Sequence, residues 1–172
     1  GIESELPIYA FKGKKINAGW VTTFNSHAVI SENRCTSIPH NVSDEAASLF
    51  GCAVTTGFGV VENNAKLKMG ESVAILGAGG IGLNIIQASK LVSAFPIIAV
   101  DLYENRLALA KKLGATHLIN SSRDNVFEKI GEITRKEELD VFIDNTGIPS
   151  IIEMGYKLVK KTGKVILVGV PK

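Results

Sequence analysis

A chain of 172 residues is long enough for one ordinary domain with a real core, and 45% hydrophobic with 21% charged residues is the composition of a globule, not of a disordered tract. A formal net charge of +2 makes no electrostatic case for nucleic acid or an anionic membrane; no apolar run reaches transmembrane length, and the N-terminus shows no signal-peptide pattern. The two cysteines, Cys35 and Cys52, have no C-x-x-C spacing, which argues against a disulfide framework and for a reducing, cytoplasmic setting.

Gly1 to Leu6 reads as a leader without pattern. From Pro7 to Pro39 the text is strand-like, punctuated by Gly13 and Gly19, and Val21 to Ile30 is rich in β-branched and aromatic residues. Trp20 and Phe24 read as packing residues, His27 as a surface or strand histidine, and Cys35 as a buried thiol. Ser43 is a good helix N-cap, and Asp44 and Glu45 put negative charge in the first turn, where the helix dipole favours it. That helix is predicted to run toward Gly51, with a second from about Thr56 to Leu67. Met69-Gly70-Glu71 then turns the chain into Val73 to Leu76, an apolar run that suits a buried parallel strand.

The organising stretch follows. Gly77-Ala78-Gly79-Gly80-Ile81-Gly82 fits G-x-G-x-x-G and stands between a strand and an amphipathic helix. Gly77 permits the tight turn, Gly79 lets backbone approach a pyrophosphate, and Gly82 lets the helix lie close on the strand. Gly80 and Ile81 open that helix, whose unpaired N–H groups attract negative charge. A second apolar run, Pro96 to Val100, ends at Asp101, an acid placed to accept hydrogen bonds from a ribose 2′-hydroxyl and to repel a 2′-phosphate. NAD rather than NADP is the expectation.

The alternation continues after Asp101. A helix is predicted over Glu104 to Leu113 with Gly114 as its stop, a third strand at His117 to Ile119 with His117 structural, and a helix around Val126 to Thr134. Asp140 to Asp144 reads as the fourth strand, Ile151 to Val159 as a helix with Lys160-Lys161 near its end, and Lys164 to Val170 as the fifth strand after a Thr162-Gly163 turn. Right-handed crossovers then give an α/β, doubly wound parallel sheet of order 3-2-1-4-5, with ligands at the strands' carboxyl ends.

Five segments, LFGCAVTTGFGVV (49–61), VAILGAGGIG (73–82), IIAVD (97–101), KKLGATHLIN (111–120) and VILVGVP (165–171), together resemble the zinc-dependent medium-chain alcohol dehydrogenases, nearest the alcohol and glutathione-dependent formaldehyde dehydrogenase branch. The resemblance implies a Rossmann domain over 43–172 holding five of six strands, and a β-rich tail of the catalytic, GroES-like domain over 1–42. It implies an oxidoreductase passing a hydride between a small-molecule alcohol and NAD, with a zinc held by two cysteines and a histidine. Carried over residue by residue, Cys52 becomes one zinc ligand and Thr56 the threonine beside nicotinamide and substrate. Asp101 and Arg106 fall on the adenosine-ribose positions, and Thr146 with Gly147 on the adenine side. Val168, Gly169 and Val170 match the strand end that holds the carboxamide.

This sequence also departs from the family. No Cys-x-x-Gly context or Gly-His-Glu motif precedes Cys52, and the four-cysteine lobe is missing. The expectation is therefore a truncated chain, metal-free and inactive toward alcohols, since one thiolate cannot hold a zinc that needs three protein ligands. A fifth strand without its neighbour would be an apolar edge, and self-association into a homo-oligomer through it is predicted. Two other readings are a zinc-free quinone or enoyl reductase of the same superfamily and a non-catalytic dinucleotide-binding module. Asp101 and Cys52 both argue against the reductase.

Overall fold

A computed structural model describes residues 8–17, 26–28 and 30–170. Expectations for the leader, for Trp20 and Phe24, and for 21–25 and 29 of the Val21–Ile30 strand lie outside the described residues. The chain falls into two compact units, 1–42 and 43–172.

In the first unit, β1 (Ile8–Phe11) and β2 (Lys14–Asn17) form an antiparallel hairpin with Phe11 opposite Lys14. Its two-residue turn, Lys12-Gly13, has φ 48° and 75°, the left-handed pair whose twist matches paired strands. A single 3₁₀ turn, Glu32–Arg34, follows and buries no residue. Cys35 ends that turn and is exposed, with Sγ 3.8 Å from the Ser31 carbonyl. The expected burial of this thiol is thus corrected: the 3₁₀ turn it closes packs no residue into a core. His27 is exposed, its Nδ1 3.2 Å from Ser26 Oγ.

The second unit begins as the sequence reads, with Ser43 Oγ accepting the Ala46 N–H at 3.3 Å. The two expected helices, however, are one run of helical turns from Asp44 to Ala65. It passes from α1 (Asp44–Leu49) through a π-helical segment (Phe50–Val54) into α2 (Thr55–Gly59) and a second π-helical segment (Val60–Ala65). Gly51 does not break it, and the Thr55 hydroxyl donates to the Phe50 carbonyl five residues back, in step with the wider turns. The run ends where Lys66 turns left-handed at φ 49°.

Five parallel strands follow: β3 (Val73–Leu76), β4 (Ile97–Asp101), β5 (His117–Asn120), β6 (Leu139–Asp144) and β7 (Val159–Leu167). Between them run α3 (Gly80–Leu91), α4 (Glu104–Leu113), α5 (Val126–Ile133) and α6 (Pro149–Leu158). The sheet order is β5-β4-β3-β6-β7, the expected 3-2-1-4-5. Every residue of β3 and β4 is buried, as both-faces-covered parallel strands require. One face packs Ile75, Ile85, Ala99 and Leu107 together; the other packs Leu76, Ile98, Ile130 and Phe142. Each such large side chain contributes roughly 1.5–3 kcal/mol by burial.

The last strand differs from its reading. α6 stops at Leu158, Val159 is already extended and paired with Leu139, and Lys160-Lys161 lie in the strand rather than at a helix end. Lys160 is drawn there by an ion pair with Asp140. Regular pairing with β6 resumes at Lys164 after a register shift and ends at Leu167.

Candidate functional site

β3 lies between β4 and β6, so the chain leaves the sheet in opposite directions on either side of it. Such a reversal opens a crevice at the strands' carboxyl ends. Here it is a cleft of about 680 Å³, walled by the glycine turn, Asp101, Tyr103, Arg106, Thr146, Val168 and Gly169.

The glycines divide by what a side chain would meet. Gly77 has φ +91°, a conformation that favours glycine. A Cβ on Gly82 would lie 1.9 Å from the Gly77 carbonyl oxygen, so α3 can sit this close to β3 only with glycine there. A Cβ on Gly79 would meet nothing within 4 Å. The turn packs against itself at Gly82 and stands open toward the cleft at Gly79. Gly80, Ile81 and Gly82, which begin α3, line the same opening, and at a helix start an anion gains from unpaired donors and the dipole.

Asp101 is buried at the end of β4. Its Oδ2 accepts the Ala78 N–H at 2.8 Å and its Oδ1 accepts the Tyr103 N–H at 3.0 Å. Arg106, half exposed, reaches to 3.6 Å from Oδ2 and lies 4.9 Å from the Tyr103 ring centroid. A carboxylate has about four lone-pair sites, so two remain for a ligand's hydroxyls.

Opposite, the end of β6 is built around Asp144, which is 0% exposed. Its Oδ1 accepts the Thr146 hydroxyl at 2.6 Å and the Thr146 N–H at 2.9 Å, and its Oδ2 accepts the Gly147 N–H at 2.9 Å. Its carbonyl accepts the Val168 and Gly169 N–H groups at 2.8 and 3.0 Å. One residue thus fixes both the loop into α6 and the exit of β7. Neither Asp144 nor Asn145 was singled out from sequence. An acid closing an apolar strand, the same pattern as Asp101, was the available signal. The apolar wall formed by Ile148, Ile151 and Met154 was also missed.

The cleft gathers Gly77, Gly79, Gly80, Ile81, Gly82, Asp101, Arg106, Thr146, Val168 and Gly169 of the residues singled out for a cofactor; Gly147 and Val170, the latter 86% exposed, do not line it. Thr56 is half-buried on α2 and Cys52 exposed on the first π-helical segment; neither lines the cleft, although Ala53 does. The glycine after Thr56 has a packing reason: a Cβ on Gly57 would lie 2.4 Å from the Asn84 Cβ, so α2 crosses α3 there. Among the described residues no group of three or more His, Cys, Asp and Glu side chains could hold a metal. None of the helices formed by the described residues is long and apolar enough to cross a membrane.

Residues 80–172 match the family model for zinc-binding dehydrogenases. The chain is 33% identical over 169 residues to S-(hydroxymethyl)glutathione dehydrogenase of Saccharomyces cerevisiae, covering 95% of this chain and 42% of that protein. It is 32% identical over 153 residues to the "CYP enzymes assisting alcohol dehydrogenase" of Catharanthus roseus, covering 86% of this chain and 41% of that one. Among solved structures, benzyl alcohol dehydrogenase from Acinetobacter calcoaceticus superposes with a TM-score of 0.72 at 38% identity, covering 78% of this chain and 37% of that one. The chain therefore spans about two fifths of the length of these relatives.

Proposed function

The chain belongs to the zinc-binding dehydrogenase family, and on that premise we propose that it supplies the NAD-binding part of an alcohol dehydrogenase. The observation that carries the cofactor reading is Gly79, whose Cβ position is empty to 4 Å in a turn that is packed shut at Gly82. A pyrophosphate fits that space, against the N–H groups that begin α3.

When bound, the nicotinamide supplies the hydride acceptor for an alcohol. The chain's own residues grip and orient. Asp101 offers its two remaining lone-pair positions to the adenosine-ribose hydroxyls, while its charge disfavours a 2′-phosphate. Arg106 stands beside that carboxylate at the ribose end. Thr146, its own hydroxyl committed to Asp144, borders the adenine side. The backbone of Val168 and Gly169, which line the cleft, serves the nicotinamide end. Thr56 belongs to the substrate neighbourhood and Cys52 offers one thiolate to a metal. One thiolate is too few for a zinc that takes three protein ligands, so the described residues do not fit that metal and no step is assigned through it. By itself the chain is therefore a dinucleotide binder without alcohol turnover. It works in a reducing cytosol, which suits two unpaired cysteines.

Titration with NADH and, separately, NADPH tests this reading through the nicotinamide fluorescence, with alcohol-dependent NADH production followed alongside. The expected result is NADH binding at least about tenfold tighter than NADPH, a difference of roughly 1.4 kcal/mol, without turnover. Equal affinity for both would remove the role given to Asp101. A folded chain that binds neither would refute the cofactor site itself.

A further inference from the structure

The peptide joining Gly77 to Ala78 is held at both ends by side chains from the two strands that flank β3. Its N–H donates to Asp101 Oδ2, from β4, at 2.8 Å. Its carbonyl faces Asn145, the residue after β6, whose Nδ2 lies 3.4 Å away and also donates to the Leu76 carbonyl at 3.2 Å. The Asn145 backbone N–H adds a third bond, to the Leu76 carbonyl at 2.9 Å.

Two carbonyls on one side determine which way the amide is turned, because only its NH₂ group can donate to them. That orientation leaves Asn145 Oδ1 buried with no hydrogen-bond partner among the described residues. A stranded acceptor is a cost that an apolar side chain of the same shape would avoid. The donor side is therefore the part of Asn145 with a job. Its target is the oxygen that a Cβ on Gly82 would strike at 1.9 Å, so the Gly77 carbonyl is confined between α3 and the amide.

We propose that Asn145 is a positioning residue for the dinucleotide pyrophosphate. It pins the Gly77–Ala78 peptide so that the peptides beyond it keep Gly79 and the first N–H groups of α3 turned toward the cleft. The proposal rests on the dinucleotide reading above. Without the amide, the Gly77 carbonyl is free to rotate and the phosphate-facing donors lose their common direction. The effect falls on ligands that carry a pyrophosphate and spares those that reach only the ribose and adenine pockets.

Two variants test this, each checked for a wild-type circular-dichroism spectrum. Asn145→Leu keeps the shape and removes the donor; Asn145→Asp replaces the donor with an acceptor aimed at two carbonyls. Dissociation constants are measured for NADH, ADP-ribose and adenosine. The expected result is a loss of tenfold or more for NADH and ADP-ribose in both variants, larger in Asn145→Asp, with adenosine within twofold of wild type. If either variant fails to fold, the other decides. Wild-type affinity for NADH in a folded variant would overturn the proposal, and so would equal weakening of all three ligands, which marks a merely structural residue. Wild-type protein that binds adenosine but neither pyrophosphate ligand would instead overturn the dinucleotide reading, and this proposal with it.

Discussion

The same one-carbon addition at two glycines of one turn should have opposite consequences. At Gly79, the N-cap of α3, φ is −77°, which any residue adopts, and the new Cβ meets nothing within 4 Å. The only stability cost is exchanging a tolerated N-cap for a poor one, about 0.5 kcal/mol, or roughly 1–2 °C in Tm for a chain of this size. The methyl group would stand where the pyrophosphate has to come. Overfilling a fitted contact costs about 1–3 kcal/mol, which is roughly 5- to 150-fold in the dissociation constant for NADH. At Gly82 the new Cβ lies 1.9 Å from a backbone oxygen, and backbone cannot swing aside as a long side chain would. Gly82→Ala should cost 3 kcal/mol or more, at the top of that range, and lower Tm by about 6 °C or more. Thermal melts followed by circular dichroism and NADH fluorescence titrations measure both quantities on both variants. A Gly79→Ala chain that binds NADH as tightly as wild type would refute the argument that this glycine is the phosphate's opening. A Gly82→Ala chain that melts within a degree of wild type would refute the packing argument.

Two further outcomes follow from the opposite end of the sheet and from its edge. Burial works to raise the Asp140 carboxyl, but the Lys160 ammonium and the Ser72 donors outweigh it and hold the group below the ordinary carboxylate value. A depressed folded-state value means its stabilisation is present above about pH 4 and is lost as pH falls through that lower value; Asp140→Asn should flatten the acid limb of stability against pH, and an unchanged limb would show the pair contributes nothing. β7 pairs only with β6 among the described residues and leaves Leu167 49% exposed, so the 172-residue chain should self-associate through this edge, with a sedimentation coefficient that rises with concentration. A single monomer peak across a wide concentration range would count against it.

The centre of the parallel sheet was legible because β3 and β4 are buried on both faces and so appear as unbroken apolar runs, closed by Gly77 and by Asp101. The glycine turn was legible because steric rules leave few residue types able to occupy it. The helical run from Asp44 to Ala65 was harder. Gly51 and Thr55 carry the marks of a break, and only the fold shows π-helical turns absorbing them. The start of β7 was misplaced because Lys160 and Lys161 suit a helix C-terminus just as well locally. The deciding interaction, with Asp140 of the neighbouring strand, is between chain segments and has no local signature. Asp144 and Asn145 were passed over for a related reason. Both belong to turn-forming residue types, and their importance lies in which backbone groups they reach across the sheet.

Those reaches say how the cleft would recognise a ligand. Asp144 spends its carboxylate on the Thr146 and Gly147 loop, Thr146 spends its hydroxyl on Asp144, and Asn145 spends its amide on the glycine turn. Asp101 commits one lone pair of each oxygen to the backbone of the turn and of the segment that enters α4. The polar side chains at the bottom of the cleft are thus largely occupied in holding main chain in place. On the proposed reading such a site would recognise shape and negative charge over a short stretch, with Asp101 adding selectivity at the ribose. Its affinity should therefore respond more to changes that tilt a peptide, such as those at Asn145, than to loss of a polar side chain at the rim.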